Sequence, residues 1–143
     1  MLNPGPIIPK IIDLRGPERG ERVDAKTLLE WASRAREQAY APYSNFKVGA
    51  ALLTRQGKVY TGCNVESSSY GLTCCAERVA FFKAISEGER EFAALAVVAD
   101  GKEVSCCGAC RQIIWDFAPD LVIYGWGKDG SVKEKSIRDL LPD

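Results

Sequence analysis

The sequence contains no histidine. That absence removes Ser-His-Asp triads, cysteine nucleophiles paired with imidazole, and histidine general bases. It also removes every metal site that depends on imidazole. Charge of one sign is not in excess either: 19 Lys and Arg stand against 19 Asp and Glu. A neutral chain has no basic surplus to neutralise a phosphate backbone, so no nucleic-acid partner is expected. No apolar run approaches the roughly 20 residues that span a bilayer, and no membrane association is expected. The N-terminus opens Met-Leu-Asn-Pro, without the basic and then apolar regions of a secretory leader, so the expected location is cytoplasmic.

What is present fits one domain. The length of 143 residues matches a single unit, and 46% hydrophobic with 27% charged residues is a globular balance. Residues 1–22 read as an irregular lead, broken by Pro4, Pro6, Pro9 and Pro17, and the folded domain is expected over 23–143. A helix is predicted from Ala25 to Tyr40, with Asp24 as N-cap and Leu28, Leu29, Ala32, Ala35 and Ala39 at helical spacing. Phe46–Thr54 and Lys58–Asn64 read as a hairpin around Gln56-Gly57. A second helix is expected from Cys75 to Glu87, closed by Gly88. Ala93–Ala99 is almost wholly apolar, as in a strand buried on both faces. A third helix follows from Gly108 to Phe117, then strands at Leu121–Gly125 and Ser131–Lys135, and a last helical turn at Ile137–Leu141. Alternating strands and helices predict an α/β class.

Six cysteines remain to carry chemistry: Cys63, Cys74, Cys75, Cys106, Cys107 and Cys110. In a reducing compartment such clusters bind metal or react rather than form a disulfide framework. Cys107-Gly-Ala-Cys110 opens the third predicted helix, where residues three apart face the same way. Cys75 opens the second, and a helix N-terminus favours the thiolate that zinc needs. Two helix starts meeting at one point would supply three thiolates, with Glu77 two residues beyond Cys75. Zinc with three protein ligands keeps a fourth position for water and lowers its pKa, and a nearby carboxylate can then shuttle protons. Arg78 would offset the charge of the sulfurs. Other readings stay open on the residues alone. They are a Cys-Gly-Ala-Cys dithiol oxidoreductase, a closed four-thiolate structural zinc using Cys63, Cys74 or Cys106, and buried thiols without function.

Cys75-Ala-Glu-Arg78 followed by Cys107-Gly-Ala-Cys110-Arg-Gln resembles the zinc signature of the cytidine deaminase family. Tyr40-Ala-Pro-Tyr-Ser-Asn-Phe-Lys-Val-Gly-Ala-Ala51, Gly62-Cys-Asn-Val-Glu66 and Asp139-Leu-Leu-Pro142 are similar to other segments of that family, so the likeness covers about Ala25 to Pro142. It implies a three-layer α/β/α sandwich around a mixed sheet of about five strands, with one zinc per chain on Cys75, Cys107 and Cys110. It implies hydrolytic deamination of cytidine and deoxycytidine in pyrimidine salvage, with Glu77 shuttling protons between water, ring N3 and the departing amine. It assigns Phe46, Asn64, Glu66 and Ala76 to the substrate: Phe46 stacks on the pyrimidine, and Asn64 with Glu66 binds the ribose 3′-hydroxyl. Arg78 neutralises the ligand sulfurs. Members of this length resemble homotetramers.

The lack of histidine now discriminates. Related base deaminases use His-Ala-Glu or His-x-Glu, so Cys75-Ala-Glu77 favours the branch acting on free nucleosides. Blasticidin S deaminase has Asn-Val-Tyr where this chain has Asn64-Val65-Glu66. Two departures stand out. The family has proline where this chain has Cys106, which creates the adjacent pairs Cys74-Cys75 and Cys106-Cys107; Cys74 or Cys106 is expected to compete as a ligand, or to form a disulfide, after zinc loss. The sequence also ends at Asp143, without the tail aromatic of tetrameric members, and an open pocket admitting bulkier cytosine analogues is the corresponding expectation.

Overall fold

A computed structural model describes residues 23–100, 103 and 105–140. The expected lead at 1–22 and the last three residues lie outside that description. Five strands form one mixed sheet in the order β2-β1-β3-β4-β5, over Val48–Thr54 (β1), Val59–Cys63 (β2), Phe92–Ala99 (β3), Val122–Trp126 (β4) and Val132–Ser136 (β5). All neighbours pair antiparallel except β3 with β4, which run parallel. The helix Gly108–Phe117 (α3) makes the crossover that such a parallel pair requires.

Alternation along the central strands builds two cores. Val48, Ala50 and Leu52 of β1 and Leu95, Val97 and Ala99 of β3 face the helix Ala76–Ser86 (α2), α3 and the short helix Ile137–Leu140 (α4). Ala51, Leu53, Ala94, Ala96 and Val98 face the other way, onto Leu28, Leu29 and Ala32 of the helix Ala25–Arg36 (α1). Every residue of β1 and of β3 is buried, so both strands read as apolar runs rather than as alternating ones. The result is the expected three-layer α/β/α sandwich. The outer strand β5 differs: its central Lys133, Glu134 and Lys135 are all exposed. No helix among the described residues is long and apolar enough to cross a membrane.

Local chemistry fixes the helix ends. The Asp24 carboxylate accepts the Thr27 N–H at 2.7 Å and caps α1. That helix stops at Arg36, short of the expected Tyr40. Turn hydrogen bonds carry Gln38 and Ala39, and Tyr40 leaves to bridge Val65. α2 closes at Gly88, whose φ of +97° suits a residue without Cβ.

One close approach matters for function. A Cβ on Gly62 of β2 would stand 2.5 Å from the Ala76 carbonyl oxygen and 2.6 Å from the Ala80 nitrogen. Backbone therefore packs on backbone where α2 begins. Gly62→Ala is expected to cost about 2–3 kcal/mol of unfolding free energy through overpacking. Denaturant titration of the two proteins would show it as a lower midpoint.

Candidate active site

Two helix starts meet above the sheet. Cys75 is the N-cap residue of α2 and Cys107 that of α3. Cys110 lies in the first turn of α3 and is fully buried. The Cys75 and Cys107 sulfurs are 3.6 Å apart, and those of Cys107 and Cys110 3.4 Å. All three ligand atoms fall within 4.8 Å of one another. Tetrahedral Zn–S bonds of about 2.3 Å separate their sulfurs by roughly 3.8 Å, so the set fits one zinc ion. The sulfurs are too far apart to be disulfides, and all six cysteines are free thiols.

The electrostatics also suit a cation. Hydrogen bonds from the Cys110 thiol and then from Arg78 pull the Cys75 thiol well below its ordinary value. The hydrogen bond to Cys75 and burial push Cys110 upward in turn. Three crowded sulfurs that must share protons are a donor set that a dication relieves. Arg78 Nη2 donates to the Cys75 sulfur at 3.5 Å and to the Thr73 carbonyl at 3.4 Å. The guanidinium thus lies against the Cys75 sulfur. Within the described residues the cluster holds three cysteines and no fourth. That is the open arrangement, not the closed four-thiolate alternative.

Glu77 occupies the first turn of α2 and is only 4% exposed. Burial raises its carboxyl above the usual range, and the charge of Cys75 pushes the same way. The hydrogen bond from its own backbone N–H opposes both. Cys106 is itself 3% exposed and is not a member of the sulfur cluster.

The other expected site residues lie on two hydrogen-bonded segments, 43–48 and 64–66, and at the start of α2. Asn64 is buried; its Oδ1 accepts the Val48 N–H at 2.9 Å and its Nδ2 donates to the Phe46 carbonyl at 2.8 Å. Glu66 Oε1 accepts the N–H groups of Tyr43 and Ser44, at 3.0 and 3.2 Å, and Oε2 accepts the Ser44 hydroxyl. Those bonds hold the Glu66 carboxyl below its ordinary value, the Ser44 hydroxyl contributing most. Asn64 and Glu66 therefore brace residues 43–48, where Asn45 takes a left-handed φ of 58° and Phe46 keeps 38% of its surface exposed. Val65 bridges Cys74, which ties this loop to the metal-ligand segment. Ala76 is fully buried at the first residue of α2, its carbonyl against Gly62.

Sequence reasoning passed over Arg111. Its Nε donates to the Cys106 carbonyl at 2.9 Å, Nη2 to the Ser105 hydroxyl at 2.9 Å and Nη1 to the Leu140 carbonyl at 2.8 Å. It stands next to Cys110 in the quoted segment, but no spacing rule signals a backbone clamp. Ser44 and Thr73 were likewise unremarkable as loop polar residues.

Comparison with known proteins agrees with this geometry. Residues 22–126 match the family profile described as the cytidine and deoxycytidylate deaminase zinc-binding region. The chain is 52% identical over 122 residues to a cytidine deaminase of Sporosarcina psychrophila, spanning 84% of this chain and 90% of that protein. It is 51% identical over 122 residues to one of Halalkalibacterium halodurans, spanning 84% and 92%. The crystal structure of cytidine deaminase from Burkholderia pseudomallei superposes with a TM-score of 0.80 at 52% identity, covering 85% of this chain and 98% of that one. With three sulfurs and one buried carboxylate on two helix starts, and likeness along most of its length, the chain belongs to the cytidine deaminase family.

Proposed function

We propose that the chain is a zinc-dependent hydrolase that converts cytidine and deoxycytidine to uridine and deoxyuridine with release of ammonia. The observation that carries this reading is the convergence of the Cys75, Cys107 and Cys110 sulfurs with the buried Glu77 at the start of α2. Relatives named cytidine deaminase, at about half identity, support the substrate.

Zinc held by the three thiolates supplies a Lewis acid that makes a water molecule nucleophilic near neutral pH. A C–O bond forms at C4 of the cytosine ring and the C4–N bond breaks. Glu77 takes the proton given up by the attacking water and passes it to ring N3. It then carries the second proton to the exocyclic nitrogen, which leaves as ammonia. A buried carboxyl with a raised pKa holds a proton more readily than an ordinary carboxylate, which suits both transfers. Arg78 steadies the anionic sulfurs. Phe46 stacks on the pyrimidine, Ala76 borders the ring, and Asn64 with Glu66 meets the ribose 3′-hydroxyl. Residues 23–143 form the catalytic unit.

Cytidine turnover, followed by loss of the cytosine ultraviolet band and by ammonia release, tests this reading with zinc assayed on the same sample. Turnover with about one zinc per chain is the expected result. A reduced, folded protein with neither zinc nor turnover would overturn it. Glu66→Gln should raise KM for cytidine roughly tenfold and leave kcat within about twofold, because a hydrogen bond to a charged group is lost at the ribose end. Steady-state kinetics reads both constants.

We also propose a homotetramer acting in cytoplasmic pyrimidine salvage. Exposed apolar residues around the loop support assembly: Tyr40 is 57% exposed, Tyr43 60%, Tyr70 90% and Leu72 73%. Light scattering after gel filtration should give four chains per particle.

A further inference from the structure

The three clustered sulfurs are not held alike. Cys110 is buried and Cys75 half-buried, while Cys107 is exposed. Packing therefore fixes Cys107 least, and its direction has to be set by its backbone. A side chain leaves the chain at Cα, between two planar peptide groups, so holding both planes fixes the Cα–Cβ bond. At Cys75 the backbone of other residues holds both planes. The Cys74 carbonyl accepts the Val65 N–H at 3.0 Å, and the Cys75 carbonyl accepts the Val79 N–H at 3.1 Å.

Cys107 lacks a bridge of that kind. Between β3 and α3 the described residues form neither strand nor helix. Arg111 holds both planes instead. Its N–H donates to the Cys107 carbonyl at 2.9 Å, and its Nε donates to the Cys106 carbonyl, also at 2.9 Å. Cys107 takes a φ of −73° and a ψ of 168° at the N-cap, with its sulfur 3.6 Å from that of Cys75. The rest of the guanidinium is anchored as well. Nη2 donates to the Ser105 hydroxyl at 2.9 Å and Nη1 to the Leu140 carbonyl at 2.8 Å. Leu140 ends α4, so the fork braces the ligand segment on that helix. A lysine offers one nitrogen in place of three and cannot make these contacts together.

We propose that Arg111 is a positioning residue for the zinc site: it fixes both peptide planes of Cys107 against α4, and so sets the direction of the exposed ligand sulfur and the grip of the three sulfurs on zinc. Arg78 touches a ligand sulfur directly; Arg111 acts through the backbone that carries one. The inference rests on the zinc-ligand reading of Cys75, Cys107 and Cys110, not on the identity of the substrate.

Zinc release from the loaded full-length protein into an excess of chromogenic chelator tests this without reference to turnover. Arg111→Lys keeps the positive charge and loses the fork. Zinc should leave it about tenfold faster, the low end of what outer-shell partners contribute to metal affinity. Ser105→Ala removes a single contact and should speed release about threefold. Cobalt in place of zinc gives a second readout, taken well below the melting temperature. The thiolate-to-cobalt charge-transfer band should weaken in Arg111→Lys, in the direction given by Cys107→Ser, which removes the ligand itself. A clamp that served only the fold would lower the melting temperature and leave the cobalt band as in the wild type, and that result would overturn the role. Wild-type release in Arg111→Lys, or in Ser105→Ala should the lysine variant not fold, would overturn it too. A wild-type protein that binds no zinc would reject the ligand reading, and the role with it. The tenfold change in a zinc-loaded protein that does not deaminate cytidine would sustain the role and reject the deaminase reading alone.

Discussion

Glu77→Gln is expected to lower kcat on cytidine by about 10²- to 10⁴-fold, the range associated with loss of a general acid–base. Zinc content should stay near one per chain, since the carboxylate is not among the clustered sulfurs. Glutamine has nearly the same shape but accepts no proton, so substrate should still bind and KM should change little. Burial penalises the Glu77 carboxylate charge in the fold. Removing that charge should therefore leave thermal stability unchanged or slightly raised, in contrast to most substitutions at fully packed positions. Kinetics, zinc assay and a melting curve on one preparation would separate a lost shuttle from a lost fold. Residual turnover within tenfold of the wild type would remove Glu77 from the shuttle role.

Removing the metal should have the other large effect. Cys110 is fully buried in the first turn of α3, next to its N-cap Cys107, and its sulfur lies within 4.8 Å of that of Cys75, the N-cap of α2. An ion held there adds a bond between two helices that already pack in one core. Cys110→Ala should lose zinc and turnover together. Binding at about a thousandfold above the dissociation constant adds roughly 4 kcal/mol, so the melting temperature should fall by about 10–15 °C. The wild-type protein treated with a strong chelator under reducing conditions should melt within a few degrees of Cys110→Ala. An equal melting temperature with and without metal would mean that the two helix starts are preformed and that zinc adds nothing to the fold.

The elements were legible where the pattern is local. The α3 limits, Gly108 and Phe117, are read directly from a Cys-capped start and Pro119 beyond the end. The α/β class follows from strands and helices alternating around the apolar run at 93–99, whereas the three layers are what the family resemblance implies. Periodicity failed at 37–47, where the predicted helix and strand each extend too far. There the chain answers to distant partners: Tyr40 N–H bonds the Asn64 carbonyl, and Glu66 gathers Tyr43 and Ser44. Tertiary contacts of that kind override propensity and leave no trace in residue spacing. The site divides the same way. The three sulfurs and Glu77 are announced by short intervals on helix starts. The bracing job of Asn64 and Glu66 is not, because it joins residues 16 to 23 positions apart. The oddity at Cys106 was visible as a residue type, but its burial outside the three-sulfur cluster was not.

The charged outer strand has a consequence for crowding between molecules. β5 ends the sheet with open backbone groups, yet Lys133, Glu134 and Lys135 stand in its middle, with both lysines on one face. A strand from another chain docking there would have to strip water from three charges and bring its own side chains beside them. The sheet therefore resists lengthening across that border. The exposed aromatics Tyr40, Tyr43 and Tyr70 lie elsewhere, so this border of the chain presents charge to its surroundings while another part presents rings.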